Sequence, residues 1–251
     1  MKSSASKLTR MAAAKASRFA MVRSMRQTAQ DAAKLLRSSL MRNGPAPATF
    51  RAALTGICAE DRDAWLDILW DIDELPEDDP LLPHGCVPYL PCPVATVLEA
   101  VQQAAVTSDD VFVDVGAGLG RAVVLTHLLT GAGCIGLEIQ PGLVQAARGR
   151  AAWLNLSRVR FVEGDAVDLI RFITIGTVFF LYCPFGQDRL HRVLDDLEHI
   201  ARTRPIRVCC VGLPPLDRPW LAPVPSTSAD LAVYRSTLHQ ARPSPTLIKP
   251  P

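Results

Sequence analysis

The chain has 251 residues, 49% of them hydrophobic and 21% charged, with a formal net charge of +2. That length accommodates one α/β domain with accessory segments, and the composition excludes a wholly disordered chain. The longest apolar run, around Thr177 to Cys183, is strand-sized, so no membrane span is expected.

The small net charge hides two opposed regions. Residues 1–42 hold ten Lys or Arg and one acid, Asp31, a balance of +9, and the remainder carries −7. Leu8, Met11, Phe19, Val22, Met25, Ala29, Leu36 and Leu40 fall near helical spacing, so 1–42 reads as a basic amphipathic helix or a disordered arm. Such an arm suits peripheral contact with anionic lipid, contact with nucleic acid, or contact with the acidic stretch at 60–79. Its basic, Ser-rich, acid-poor make-up also fits an organelle transit peptide, which would make the setting mitochondrial rather than cytoplasmic. The seven cysteines form no C-x-x-C pair and no metal-like set with the five histidines, which predicts a reducing compartment and no bound metal.

Asn43-Gly-Pro-Ala-Pro is a linker by composition, and 43–93 reads as a helical accessory or lid segment. Two short helices are predicted over Phe50–Cys58 and Ala59–Asp73, with Trp65, Leu69 and Ile72 buried. Ten acids fall between Glu60 and Asp79, and their simplest role is a solvated face. The stretch from Asp79 to Pro93 is turn-rich, and a helix over Val94–Ala105 follows, opening the main domain at 94–240.

Val111-Phe-Val-Asp-Val115 reads as a short buried strand that runs into Gly116-Ala117-Gly118-Leu119-Gly120-Arg121, with a helix from Ala122 to Leu129. Alternate glycines permit a sharp turn and predict bare amide N–H groups facing a ligand at the helix N-terminus. The dinucleotide fingerprint G-x-G-x-x-G would need glycine at 121, where Arg121 stands. A second strand, Cys134–Glu138, ends in a carboxylate 24 positions after Asp114, suited to accept both hydroxyls of a ribose. A third, Val159–Glu163, runs into Gly164-Asp165, where a side-chain acceptor suits the exocyclic amine of an adenine. Three acids at three successive strand ends mark an adenosine-bearing ligand.

Together these landmarks resemble the class I S-adenosylmethionine-dependent methyltransferases, over about Pro88 to Leu238. The resemblance implies a Rossmann-like, seven-stranded, mostly parallel sheet with helices on both faces and an antiparallel closing hairpin. It implies S-adenosylmethionine as cofactor, held by Asp114, Gly116, Ala117, Gly118, Gly120, Glu138, Ile139, Asp165, Ala166 and Tyr182. The run Pro88-Tyr89-Leu90-Pro91-Cys92 is similar to the Tyr-Val-Pro-Thr or Tyr-Val-Pro-Ala element of the ATP-synthase c-subunit lysine methyltransferases. It is distantly similar to the non-SET, Rossmann-type histone lysine methyltransferases. Those families imply that Tyr89 and residue 92 close over the methionine end of the cofactor, although Cys92 departs from their Thr or Ala.

Between the second and third strands Pro141 opens a helix at its N1 position, and Arg148, Arg150, Arg158 and Arg160 read as a solvated cluster. A fourth strand, Thr177–Tyr182, leads into Cys183-Pro184-Phe185. This keeps the proline and aromatic of the Asn/Asp-Pro-Pro-Tyr/Phe element of amine-methylating relatives but lacks its side-chain amide or carboxylate. Tyr182, Phe185 and Tyr89 are the candidates for flanking the transferred methyl group. Asp188 or Gln187 is predicted to cap the next helix, whose apolar side is Leu190, Val193, Leu194, Leu197 and Ile200. A fifth strand over Ile206–Val211, a hairpin from Trp220–Val224 and Leu231–Leu238, and a loose Pro-rich tail at 241–251 complete the chain. The acceptor is read as a protein lysine, with a small molecule as the alternative and a non-catalytic binding protein of the same fold as the third choice. Interleaved aromatics are sparse, which disfavours nucleic acid.

Overall fold

The computed structural model describes residues 27–238 apart from 45, 73–76, 81 and 227. The first 26 residues and the predicted tail at 241–251 lie outside the described residues. A seven-stranded sheet has the order β3-β2-β1-β4-β5-β7-β6. Its strands are β1 (Val111–Val115), β2 (Gly133–Glu138), β3 (Val159–Glu163), β4 (Val178–Tyr182), β5 (Arg207–Val211), β6 (Leu221–Val224) and β7 (Leu231–Ser236). The first five run parallel, and β7 enters antiparallel between β5 and β6. The chain winds outward from β1 to β3 and then returns to place β4 against the other side of β1. Loops at the carboxyl ends diverge at that reversal and leave a crevice there.

Parallel strands covered on both faces need apolar side chains on both, which is why β4 reads Val-Phe-Phe-Leu without alternation. Phe179 and Phe180, adjacent in sequence, serve opposite cores because successive side chains point to opposite faces. One core joins Phe112 and Phe180 to α4 (Val94–Gln103), α5 (Arg121–Thr130) and α6 (Pro141–Trp153). The other sets Phe179 and Leu181 against α8 (Gln187–Ala201), whose predicted apolar side, Leu190 to Ile200, is buried throughout. A single turn, α7 (Ala166–Leu169), follows β3. The cap of α8 differs from expectation: Gly186 is the N-cap and no side chain caps it. Gly186 instead donates its amide to the Gly85 carbonyl at 2.9 Å, which draws a distant segment against the helix entry.

Three further helices cover the first core: α1 (27–43), α2 (Pro47–Thr55) and α3 (Arg62–Trp70). The second half of the basic stretch is thus a helix on the body, with Ala33 and Leu40 buried. Arg37 anchors it, donating to Asp71 at 2.6 Å and to the Ile68 carbonyl at 3.0 Å, with its guanidinium over Trp153. The predicted solvated face at 60–79 needs correction, since Asp63, Asp67, Asp71 and Asp78 all hold partners in the fold. The predicted arginine cluster is likewise committed. Arg148 donates to the Phe161 carbonyl, Arg150 to that of Asp71 and Arg158 to that of Gly131. No helix among the described residues is long and apolar enough to cross a membrane.

His127, buried in α5, places Nδ1 2.8 Å from the Ala132 carbonyl and leaves Nε2 without a partner. A carbonyl only accepts, so Nδ1 carries the proton. Burial holds the imidazole below its usual range, with the Arg158 charge adding to this and the Ala132 bond opposing it. The unfolded chain therefore takes up a proton before the folded one does. Stability present above about pH 6.5 is lost as pH falls through that value, by at most about 1.4 kcal/mol per pH unit. Thermal melts of wild type and His127→Leu across that range test this; a variant that declines as steeply as wild type removes His127 as the cause.

Candidate functional site

Three carboxylates stand at the carboxyl ends of β1, β2 and β3. Asp114 is 3% exposed on β1, opposite Gly136 of β2 and Phe180 of β4. Burial, and then the neighbouring Glu138 charge, hold its carboxyl well above the usual range. Glu138 is 6% exposed, and its Oε2 accepts the Gly118 amide at 2.7 Å while Oε1 accepts the Gln140 amide at 2.9 Å. Burial raises its carboxyl, and these backbone amides oppose that shift. Asp165 caps α7 by accepting the Val167 amide at 2.9 Å, and it pairs with Arg189 from the first turn of α8.

Two adjoining hollows lie between these groups. The larger is bordered by Glu138, Ile139, Asp165, Ala166, Tyr182, Phe185 and Arg189. The smaller is bordered by Asp114, Ala117, Cys92 and Arg121. Tyr89, Leu90, Gly116 and Tyr182 border both, so the three acids surround neighbouring space at one end of the sheet. The strap from Cys86 to Leu90 roofs it. A single bridge between Cys86 and Phe185 attaches that strap to the loop after β4.

The glycine turn departs from expectation. Its amides are committed within the chain: Gly116 and Ala117 both donate to the Leu137 carbonyl at 2.9 Å, Gly118 to Glu138, and Gly120 to the Ala117 carbonyl at 2.7 Å. Glycine is required here for close packing as well as for the turn. A Cβ on Gly118 would lie under 3.0 Å from two ring carbons of Tyr89, and one on Gly120 under 3.0 Å from the Phe161 ring. Gly120 thus sits beneath Phe161 as the N-cap of α5, away from both hollows. The other candidate cofactor-site positions all border one hollow or the other.

Of the residues expected beside the reacting atoms, Tyr89 buries its hydroxyl with no partner, and burial pushes that hydroxyl well above its usual range. Tyr182 is half-buried, and Phe185 is buried under the Arg189 guanidinium. Cys183 adopts φ +44°, in the left-handed region. Its amide and its thiol both approach the Val211 carbonyl, at 3.2 and 3.1 Å.

Four residues escaped the sequence reading. Arg121, 4% exposed, pairs with Asp63 at 2.6 Å and with Asp67, and donates to the Cys92 carbonyl. Trp70 donates its indole N–H to the Leu119 carbonyl at 2.6 Å, inside the glycine turn. Gln140 and Arg189 line the larger hollow. The arginines left a readable signal: each lies in the first turn of a helix, where a cation opposes the macrodipole unless an acid answers it.

No protein-family model matches the chain, and no curated protein matches it. Among the solved structures similar to this chain are three methyltransferases. An RNA methyltransferase from Salinibacter ruber, bound to S-adenosylhomocysteine, is 28% identical, with 62% of this chain and 97% of that one covered and a TM-score of 0.43. The Escherichia coli putative methyltransferase yhhF is 20% identical over 66% and 92%, with a TM-score of 0.49. The S-adenosylhomocysteine-bound Podospora anserina methyltransferase PaMTH1 is 12% identical over 59% and 80%, with a TM-score of 0.46. All three are described as methyltransferases. The fold of this chain is the Rossmann-like, seven-stranded arrangement expected from the sequence.

Proposed function

We propose that the chain is an S-adenosylmethionine-dependent methyltransferase acting on an amine nitrogen, and that the acceptor is a protein lysine. The observation that carries this reading is the chemistry of the crevice wall. Three strand-end carboxylates border it, while the turn's own amides are already bonded within the chain. With the Gly116, Ala117 and Gly118 amides bonded and the bordering Arg121 and Arg189 each paired to an acid, the carboxyl groups are left to favour a ligand rich in hydroxyl and ammonium groups. That description fits S-adenosylmethionine and argues against a dinucleotide.

The residues present match that ligand group by group. Glu138 accepts the Gly118 amide on Oε2 and the Gln140 amide on Oε1, with the Ile139 amide also bonded to the carboxylate, and acceptor capacity remains for a ribose hydroxyl. Asp165 retains its second oxygen for an exocyclic amine, and Asp114 is placed for an ammonium. The Tyr89 hydroxyl is a buried donor awaiting an acceptor. When bound, the cofactor supplies an electrophilic methyl on a sulfonium. The chain's part is to align donor and acceptor at ~3–3.5 Å and to exclude water. Tyr89, Tyr182 and Phe185 form an aromatic wall beside the strap. A lysine amine entering against them is partly desolvated, which favours its neutral, nucleophilic form. The similarity of Pro88 to Cys92 to the lysine methyltransferase element supports the same choice.

A cation arriving beside Asp114 favours the ionised carboxylate, so binding expels the proton that burial retains there. Affinity is therefore expected to rise with pH through the raised Asp114 range. Calorimetry in two buffers of different ionisation enthalpy should give different binding heats. Equal heats would mean that Asp114 does not face the cation. The acceptor is tested by incubating the protein and methyl-labelled cofactor with host lysate, then separating protein, RNA and small molecules. Label on protein lysine is the expected result. Label in RNA or small molecules would overturn the acceptor, and absence of both binding and label would overturn the enzyme.

A further inference from the structure

Gln140 stands two residues beyond Glu138, is 5% exposed, and uses every polar group it has. Its backbone amide donates to Glu138 Oε1 at 2.9 Å. Its side-chain Nε2 donates to Asp78 Oδ1 at 2.8 Å, and its Oε1 accepts the Asp79 amide at 2.7 Å. The same Asp78 oxygen accepts the Tyr89 amide at 2.7 Å, and the Tyr89 ring rests on Gly118, whose amide returns to Glu138. The contacts close a ring: Glu138, Gln140, Asp78, Tyr89, Gly118 and Glu138 again.

We propose that Gln140 and Asp78 are positioning residues that latch the strap over the crevice, so that occupancy at Glu138 and closure by Tyr89 are coupled. The proposal rests on the methyltransferase reading for its ligand. The Gln140 side-chain amide donates to the Asp78 carboxylate and accepts from the Asp79 amide at once. A carboxylate at 140 would keep the second bond and set like charges against each other at the first. Neither residue reaches the reacting atoms, and both act through where they hold Tyr89 and Glu138.

The test is a double-substitution cycle in the full-length protein, read by release of labelled S-adenosylmethionine after a chase and by hydrogen exchange of the Tyr89 amide. Gln140→Glu is expected to speed both by about tenfold, the scale of one lost buried hydrogen bond. Asp78→Asn alone is expected to stay near wild type, because its carbonyl still accepts from Tyr89 and from Gln140. Combined with Gln140→Glu it removes the like charge that the new carboxylate would face while its carbonyl still accepts from Tyr89, and both rates are expected to return part of the way to wild type. A Gln140→Glu protein that releases cofactor and exchanges Tyr89 as wild type does would overturn the latch. So would a defect that the second substitution fails to restore. Wild type that binds no S-adenosylmethionine, while Tyr89 exchange follows the cycle, would instead overturn the methyltransferase reading and leave the latch as an anchor of the strap.

Discussion

Gly118→Ala is expected to weaken S-adenosylmethionine binding at least about 100-fold, by two effects that add. Gly118 holds φ +54°, a region that costs an L-residue roughly 1–2 kcal/mol. The new Cβ would also lie under 3.0 Å from two Tyr89 ring carbons, so the ring must leave its seat. That ring separates the two hollows, and its displacement removes the roof from both. Relaxing the backbone instead would break the 2.7 Å bond from the Gly118 amide to Glu138, the residue assigned to the ribose. Calorimetric titration measures the loss. Adding Tyr89→Ala relieves the clash but leaves the backbone cost, so recovery should be partial. An alanine variant that binds within about threefold of wild type would remove Gly118 from the site.

Trp70→Ala is expected to lower unfolding free energy by about 4 kcal/mol, in the range for deleting a buried indole. Trp70 is 1% exposed at the end of α3. The Leu119 carbonyl, which accepts its N–H at 2.6 Å, would be left buried without that partner. Trp70→Phe retains most of the packing, is expected to cost about 1–2 kcal/mol, and isolates the hydrogen bond. Chemical denaturation of the three proteins checks the order. An alanine variant within about 1 kcal/mol of wild type would show that the accessory layer does not brace the turn.

The sheet and its three acids were legible because their causes are local. Buried parallel strands print continuous apolar runs such as Val178 to Leu181, and Asp114, Glu138 and Asp165 stand respectively just inside the end of such a run, at its end and just beyond it. The partners of the acids between 60 and 79 were not legible, because those partners lie far off in sequence. Asp63 meets Arg121 across 58 positions, and Asp78 meets Gln140 across 62. A charge run without its countercharges in view reads as a solvated face. The cap of α8 failed for the same reason: Gly186 is held by Gly85, about a hundred residues earlier, and no adjacent side chain is needed. Gly120 stands in the glycine pattern by spacing alone, while the reason its lack of a Cβ matters in the fold, room for Phe161 of β3, lies far off in sequence.

The attachment of the front helices to the glycine turn bears on how the protein can be trimmed. Trp70 reaches the turn from α3, while Asp63 and Asp67 supply the opposite charge to Arg121 at its exit. A fragment beginning at Val94 would keep every strand and all three strand-end acids. It would also carry the Arg121 guanidinium without Asp63 and Asp67, and the glycine turn without the Trp70 bond. Trimming is therefore expected to keep the glycine turn in place only when it leaves α3 on the chain.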